Sequence, residues 1–268
     1  MTKISFMTFA CPDCSFDQVL SLAVNHGYQG IEFRCDADHR HGVEVAASVR
    51  QRAEFRRKLA DAGVDPCCLA TSLQFASEDA IAESPALIEL AVSLGCHGLR
   101  VFCGPLPEGL SLENAIPRVA RNLRRVAERA FYAHVGLWLE THDSICRGRD
   151  AGRIVRLADH PAVGINWDNM HPARNGEALG VTWQAIGPYI RHTHLHDAVA
   201  EPGAPIITPF GQGDLPMQRM YDLLRFSGYE GYFSGEWFGI QMGADADASL
   251  MAFKAGLQAL EQGWQEGG

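Results

Sequence analysis

The stretch GINWDNMHP, residues 164–172, decides the fold that we expect of this chain. Residues 163–167 form a largely apolar run, typical of a short strand buried on both faces, and Asp168 stands where that strand ends. A carboxylate at the end of a buried strand is costly unless a cation or strong hydrogen-bond donors lie nearby. Asp168 is therefore a candidate metal ligand.

Three other predicted strands also end in a side chain able to bind a divalent cation. LWLE ends in Glu140, IRHTHL carries His194 at its end, and YFSGE ends in Glu236. A single acid at a strand end is usually a helix cap or a salt-bridge partner, but four residues in register favour a common site. Because consecutive parallel strands are neighbours, we expect these side chains to converge. An oxygen-rich set with one imidazole suits Mn²⁺, Co²⁺, Mg²⁺ or Zn²⁺.

Strand-like and helix-like segments alternate along the whole chain. The predicted strands are residues 3–8, 29–34, 65–70, 98–103, 134–140, 163–168, 190–195 and 231–236. The predicted helices are residues 16–26, 43–62, 84–94, 112–132, 148–159, a segment near 183, 215–226 and 246–262. Eight units spaced by about 33 residues predict a (β/α)₈ barrel, an α/β fold whose chemistry lies at the carboxyl ends of the parallel strands. An open doubly wound sheet is the alternative, disfavoured because ACPDCS rather than a glycine-rich phosphate loop follows the first strand.

Composition limits the class of protein. A chain of 268 residues with 47% hydrophobic side chains can form one barrel domain spanning residues 1–268. Its net charge of −9 argues against nucleic acid and anionic membranes as partners, and favours small neutral or weakly charged ligands. No apolar stretch is long enough to span a bilayer. Eight cysteines in a chain too long to need disulfides, with no leader-like segment at the start, indicate a reducing cytoplasm.

Several motifs together resemble a known family, the xylose isomerase-like barrels. They are GYQGIEF (27–33), GLRVFCG (98–104), LWLETHD (137–143), INWDNMH (165–171), RHTHLHD (191–197), GQGDLP (211–216) and GYFSGEW (231–237). The family includes sugar and sugar-phosphate isomerases, ketose 3-epimerases, inosose dehydratases and, more distantly, endonuclease IV. The resemblance implies a divalent metal ion bound by Glu140, Asp168, His194 and Glu236. It also implies that His171 contacts substrate.

The expected chemistry is proton transfer beside a carbonyl. A sugar that chelates the ion through a carbonyl and a neighbouring hydroxyl would have a more acidic intervening C–H. Glu140 and Glu236 are the candidate catalytic groups that remove and return the proton through an enediolate. Isomerisation or epimerisation is the first hypothesis, an inosose-dehydratase-type lyase is the second, and a non-catalytic binding barrel remains open. The expected partner is a small carbohydrate, and a homo-oligomer is left open.

Four further residues are candidate substrate contacts. His142 should point the same way as Glu140 and either bind a substrate hydroxyl or support the metal ligands. Arg100 is either a buried ion-pair partner, which is favoured, or a donor to a substrate oxygen. His196 stands where many relatives carry Lys, which makes a cationic contact there pH-dependent. Glu32 resembles a residue near the mouth of the barrel, and its alternative role is to pair with Arg34 or another cation.

Departures from the family pattern bear on the substrate. Ketose 3-epimerases usually carry a second Glu and an Arg where this chain has Cys146 and Ala200. The resemblance therefore argues against free ketohexoses as substrates. Endonuclease IV needs additional His and Asp ligands, but the matching positions hold Cys103, Ile207 and Pro209. With the acidic composition, these substitutions disfavour a role in DNA repair.

Overall fold

The computed structural model describes residues 2–199, 206–237 and 245–267. Its strands are β1 (Lys3–Met7), β2 (Gly30–Arg34), β3 (Asp65–Gln74), β4 (Gly98–Phe102), β5 (Gly136–Glu140), β6 (Val163–Asp168), β7 (Ile190–Leu195), β8 (Asp197–Val199), β9 (Ile206–Thr208) and β10 (Tyr232–Gly235). Eight of them close into a parallel barrel in the order β1-β10-β7-β6-β5-β4-β3-β2. The predicted (β/α)₈ barrel is confirmed, and the open doubly wound sheet is excluded. The sequence did not predict the antiparallel hairpin of β8 and β9.

Helices surround the barrel. They are α1 (Phe16–His26), α2 (Val49–Ala62), α3 (Asp79–Leu94), α4 (Leu112–Tyr132), α5 (Gly148–Ala158), α6 (Met170–Arg174), α7 (Leu179–Ile186), α8 (Met217–Phe226) and α9 (Ala246–Gly267). The prediction that the second helix begins at residue 43 is wrong, because Ser48 and Gln51 form a capping box that starts α2 at Val49. Its predicted end at Gly63 is confirmed, with a φ of 66°. No helix in the described ranges combines the length and apolarity that a bilayer span requires.

Strand register brings the ends of the barrel strands together at one end, which we call the mouth. Glu32 on β2 hydrogen-bonds His194 on β7, which is not adjacent to β2, so both side chains point into the barrel. Along each strand, alternate residues then share this inward direction. The register aligns Glu140 with Asn166 and Asp168 with His194, and these pairs lie where the strands end. Inward side chains at the strand ends therefore meet at the mouth.

The interior of the barrel below the mouth is packed around Trp138. The indole stacks on the His192 ring at a centroid distance of 5.5 Å, and a Cβ atom on Gly98 would lie 2.1 Å from it. We expect Gly98→Ala to lower the free energy of unfolding by about 1–3 kcal/mol, since the indole would have to move. Urea denaturation measures this, with Gly180→Ala in α7 as the control, because a Cβ there meets nothing within 4 Å. Equal stability of the two variants would contradict the packing argument.

Candidate metal centre

The four sequence-predicted ligands meet at the mouth. Glu140, Asp168 and His194 lie at the ends of β5, β6 and β7, and Glu236 directly follows β10. One donor atom from each residue can be chosen so that all four lie within 4.8 Å of one another. The first three side chains are fully buried, and Glu236 is 16% exposed. The convergence expected from consecutive strand ends is therefore present.

His194 is held by carboxylates on both sides of its ring. Its Nδ1 lies 2.7 Å from Glu140 Oε1 and 3.0 Å from Glu236 Oε2, and its Nε2 lies 2.9 Å from Glu32 Oε1. Burial alone would lower the pKa of His194, but the carboxylates, that of Glu236 first, raise it well above its usual value. The imidazole orientation is thus fixed, with Nδ1 facing the other candidate ligands and Nε2 facing Glu32.

The two carboxylate oxygens of Asp168 have different partners, one the backbone and the other two histidines. Its Oδ1 accepts hydrogen bonds from the backbone N–H groups of Met170 and His171, so the helix-cap alternative holds for this atom. Its Oδ2 lies 3.0 Å from His196 Nε2 and 3.4 Å from His171 Nε2. Burial would raise the pKa of Asp168, but His171 and His196 outweigh burial and lower it. Burial would lower the pKa of His196, but Asp168 and Glu236 raise it to about 10.

The residues present fit a divalent cation. Glu140 Oε2 is buried and has no hydrogen-bond partner within the described ranges, although Arg100 Nε is 3.4 Å away. An acceptor left this way is costly unless a cation or a donor reaches it. Its neighbours in the cluster supply two more carboxylates and an imidazole, which suit Mn²⁺, Co²⁺, Mg²⁺ or Zn²⁺.

Arg100 lies in the position favoured by the sequence, as a buried ion-pair partner. It faces Glu140, donates from Nη1 to the carbonyl oxygen of Thr71, and its guanidinium carbon is 4.0 Å from the centroid of the Phe102 ring. With 1% of its surface exposed, Arg100 is buried against Glu140 and β3. Its position therefore supports a role in holding Glu140.

Two histidine rings flank the cluster. His142 and His171 pack edge to face at a centroid distance of 4.3 Å. His142 Nδ1 lies 2.7 Å from Asp143 Oδ1; burial would lower the pKa of His142, but this bond and nearby carboxylates raise it to about 9. Nδ1 of His171 is buried and has no partner in the described part of the chain. A buried polar atom in this state needs a donor or acceptor from elsewhere.

Glu32 lies deeper than the sequence suggested. It is fully buried, and its second oxygen accepts from Ser234 Oγ at 3.0 Å and faces His192 Nε2 at 2.8 Å. Burial would raise the pKa of Glu32, but His194 and His192 lower it below its usual value. Glu32 therefore supports two histidines, and its role as a substrate contact stays a prediction. The suggested pairing with Arg34 is absent, because Arg34 donates to Ala70 on β3 instead.

His192 was missed by sequence reasoning, although the signal was available. Residues 192, 194 and 196 alternate as histidines in RHTHLH, and alternate residues of a strand share one face. The GQGDLP segment is anchored by the side chain of Asp197. Asp197 Oδ2 accepts from the backbone N–H groups of Gly211 and Gly213 at 2.7 and 3.1 Å. Ala200, one of the departures from the epimerase pattern, lies outside the described residues.

The chain is similar to known proteins over most of its length. Residues 20–262 match the family model described as xylose isomerase-like TIM barrel. The 3-dehydroshikimate dehydratase of Bacillus anthracis is 23% identical over 184 residues. This match covers 68% of the present chain and 66%, just under two thirds, of that protein.

Crystal structures of similar fold include enzymes of different names. A probable 3-DHS dehydratase of Bacillus anthracis has a TM-score of 0.78 at 19% identity, covering 96% of this chain and 99% of its own. The IOLI protein, whose crystal structure holds a zinc atom, has a TM-score of 0.85 at 19% identity, with 98% and 99% covered. An L-ribulose 3-epimerase has a TM-score of 0.78 at 17% identity, with 99% and 96% covered. At these identities the likeness is one of fold.

Proposed function

We propose, since this chain belongs to the xylose isomerase-like TIM barrel family, that it is a divalent-metal-dependent isomerase or epimerase of a sugar, sugar phosphate or cyclitol. The observation that carries the proposal is the cluster of three carboxylates and one imidazole at the ends of four neighbouring strands. Proteins of the same fold include sugar epimerases, which supports a carbohydrate as the small-molecule partner. A homo-oligomer stays a prediction.

The cation would be held by Glu140, Asp168, His194 and Glu236. When bound, it supplies Lewis acidity toward a substrate carbonyl and so makes the neighbouring C–H more acidic. The protein supplies the groups that move the proton and orient the sugar. The His142 and His171 rings lie where they can hydrogen-bond hydroxyl groups.

The two glutamates differ in their suitability for proton transfer. Glu140 is 1% exposed and faces both His194 and Arg100, so these two buried partners fix the position of its carboxylate. Glu236 is 16% exposed, and its ion-pair partners among the described residues are His194 and His196, at 3.0 Å and 3.4 Å. A side chain that takes a proton from substrate must be accessible to the bound substrate. Glu236 is therefore our first candidate for the base, and Glu140 for the group on the far side.

A dehydratase is the second candidate function. The match to 3-dehydroshikimate dehydratase favours it, and so does Cys146, which stands where ketose 3-epimerases usually carry a glutamate. The same carboxylate would remove the same type of proton, but a β-hydroxyl group would then leave instead of the carbon being reprotonated. The two functions share the site and differ in the product.

A solvent-exchange screen tests the proposal. Ketoses, inososes and their phosphates are incubated in D₂O with Mn²⁺ and the protein, and each product is analysed by mass spectrometry. An isomerase or epimerase incorporates one deuterium without loss of mass, whereas a dehydratase product is lighter by one water. A protein that binds metal but exchanges no proton of any compound would support the binding barrel.

Metal binding has its own prediction. We expect Mn²⁺ at about one hundred times its dissociation constant to stabilise the fold by about 2.7 kcal/mol, because the folded state alone assembles the site. Asp168→Asn should remove most of this gain, measured as the shift in thermal midpoint with and without Mn²⁺. Asp150→Asn is the matched control, since Asp150 is a buried acid in the first turn of α5 and belongs to no candidate cation group in the described ranges. A thermal midpoint of the wild-type protein that does not change on addition of divalent cations would contradict the metal centre.

A further inference from the structure

The half of the mouth opposite the candidate metal centre carries a guanidinium group without a carboxylate in contact. Arg34 is the last residue of β2 and lies two residues beyond the inward-pointing Glu32. Its Nη1 donates to the carbonyl oxygen of Ala70 at 3.0 Å and its Nη2 donates to Ser72 Oγ at 2.6 Å. Both acceptors are neutral. Among the described residues, no acid approaches the Arg34 nitrogens within the 4.0 Å that defines a salt bridge.

The surroundings of Arg34 do not neutralise its charge directly. Burial lowers the pKa of Arg34, and the charge of Arg100 lowers it further. Asp36 and Glu44 favour the charged form from beyond salt-bridge distance. Glu44 Oε2 accepts the backbone N–H of Asp36 at 2.8 Å, and Asp36 Oδ2 faces the backbone N–H of Ser72 at 3.5 Å. An arginine keeps its charge in such an environment. A half-buried cation without a close counter-ion is unfavourable, and an anionic ligand would offset that cost.

A second polar group stands beside the guanidinium. His39 is 8% exposed, and its Nδ1 lies 3.3 Å from Thr8 Oγ1, the same hydroxyl that accepts the backbone N–H of Arg34. Burial lowers the pKa of His39, and the charge of Arg34 lowers it further. The Phe9 ring lies against both, 5.8 Å from the Arg34 guanidinium and 5.7 Å from the His39 ring. These groups form a compact polar patch with an aromatic wall.

We propose that Arg34, with Ser72 and His39, binds the anionic group of the substrate, a carboxylate or a phosphate, while the reacting carbonyl lies at the metal centre. The planar fork of arginine suits both anions, because each presents two oxygens at matching spacing. The proposal rests on the proposed function for the position of the reacting end. It names acidic polyhydroxy compounds or sugar phosphates as the substrate class, in contrast to the neutral ligands that the overall charge favoured.

Three probes with the same six-carbon chain test the proposal. They are D-gluconate, D-glucitol 6-phosphate and neutral D-glucitol, titrated calorimetrically into the Mn²⁺-supplemented protein. We expect at least one of the two anions to bind about tenfold or more tightly than glucitol, as charge-assisted hydrogen bonds allow. Arg34→Gln should remove this preference, and the better anion tells carboxylate from phosphate. Arg40→Gln is the matched control, because it deletes an exposed arginine of the same connection between β2 and α2.

The outcomes separate this proposal from the function itself. Equal affinities for the three probes in the wild type, including no binding of any, overturn the anion site, as does equal loss in the two glutamine variants. If Arg34→Gln does not fold, Arg34→Lys decides, since lysine keeps the charge but loses the fork; an unchanged preference overturns the proposal. Titrations repeated after Mn²⁺ has been removed with a chelator show whether the preference for the anion over glucitol persists without metal. Absence of metal binding and of proton exchange would contradict only the proposed function.

Discussion

Glu236→Gln is expected to lower the rate of substrate proton exchange by about 10²–10⁴, the usual contribution of a positioned proton-transfer group. The amide keeps an oxygen that can face the cluster but cannot accept a proton at neutral pH. Glu236 is the most exposed of the four candidate ligands, at 16%, and is therefore the carboxylate that a bound sugar reaches first. The measurement is deuterium wash-in with the substrate found by the exchange screen.

Metal content must be measured in the same samples, because Glu236 is also a candidate ligand. Elemental analysis at saturating Mn²⁺ separates loss of the ion from loss of the base. Glu230→Gln is the matched control, since this exposed glutamate lies before the amino end of β10, at the opposite end of the barrel from the mouth. Near-normal exchange by Glu236→Gln at full metal occupancy would remove Glu236 from the proton-transfer role.

The barrel architecture was predictable because the same local sequence pattern, a buried strand followed by a helix, repeats along the chain. Buried strands about 33 residues apart, each followed by a helix, leave a barrel as the favoured arrangement. The convergence of Glu140, Asp168 and His194 then follows from their positions as last or nearly last residues of consecutive strands. The start of α2 was not predictable from hydrophobic pattern alone, because residues 43–48 continue the helical spacing until Ser48 caps the first turn.

Contacts across the barrel were less accessible to sequence reasoning. Glu32 on β2 reaches His192 and His194 on β7, 160 and 162 residues away, and no local pattern encodes that pairing. A glutamate at a strand end predicts only that a cation or donor is nearby. Likewise, Arg34 could be read as the partner of Glu32, but the structure turns its guanidinium to Ala70 and Ser72 on β3. The partner of a buried charged side chain is determined by which residues the closed barrel brings together, not by its neighbours in sequence.

Glu32→Gln is expected to weaken Mn²⁺ binding by about 10–100-fold. Glu32 lies outside the cluster around Asp168, but with His192 it belongs to a second group able to hold an ion, which shares His194. A bound cation would displace the proton from Nδ1 of His194, and a Glu32 oxygen would then accept the remaining Nε2–H, which leaves the Nδ1 lone pair facing the ion. A glutamine has one oxygen and one NH₂ group, and it must serve both His194 and His192. If the NH₂ group faces His194, the proton of the imidazole moves to Nδ1, where it blocks the lone pair.

If the glutamine instead keeps its oxygen toward His194, its NH₂ group faces His192 and Ser234, and the His192 ring, stacked on Trp138, must change its tautomer. Each arrangement leaves a buried donor or acceptor poorly matched, which costs about 1–3 kcal/mol. Ser234→Ala is the matched control, because it removes one hydrogen bond to Glu32 without changing what His194 meets. Calorimetric titration with Mn²⁺ should therefore show a large loss for the glutamine variant and a small one for the alanine variant. Equal Mn²⁺ affinities of the two variants would mean that Glu32 does not set the His194 tautomer. Glu140 and Glu236 alone would then have to orient the nitrogen that faces the metal.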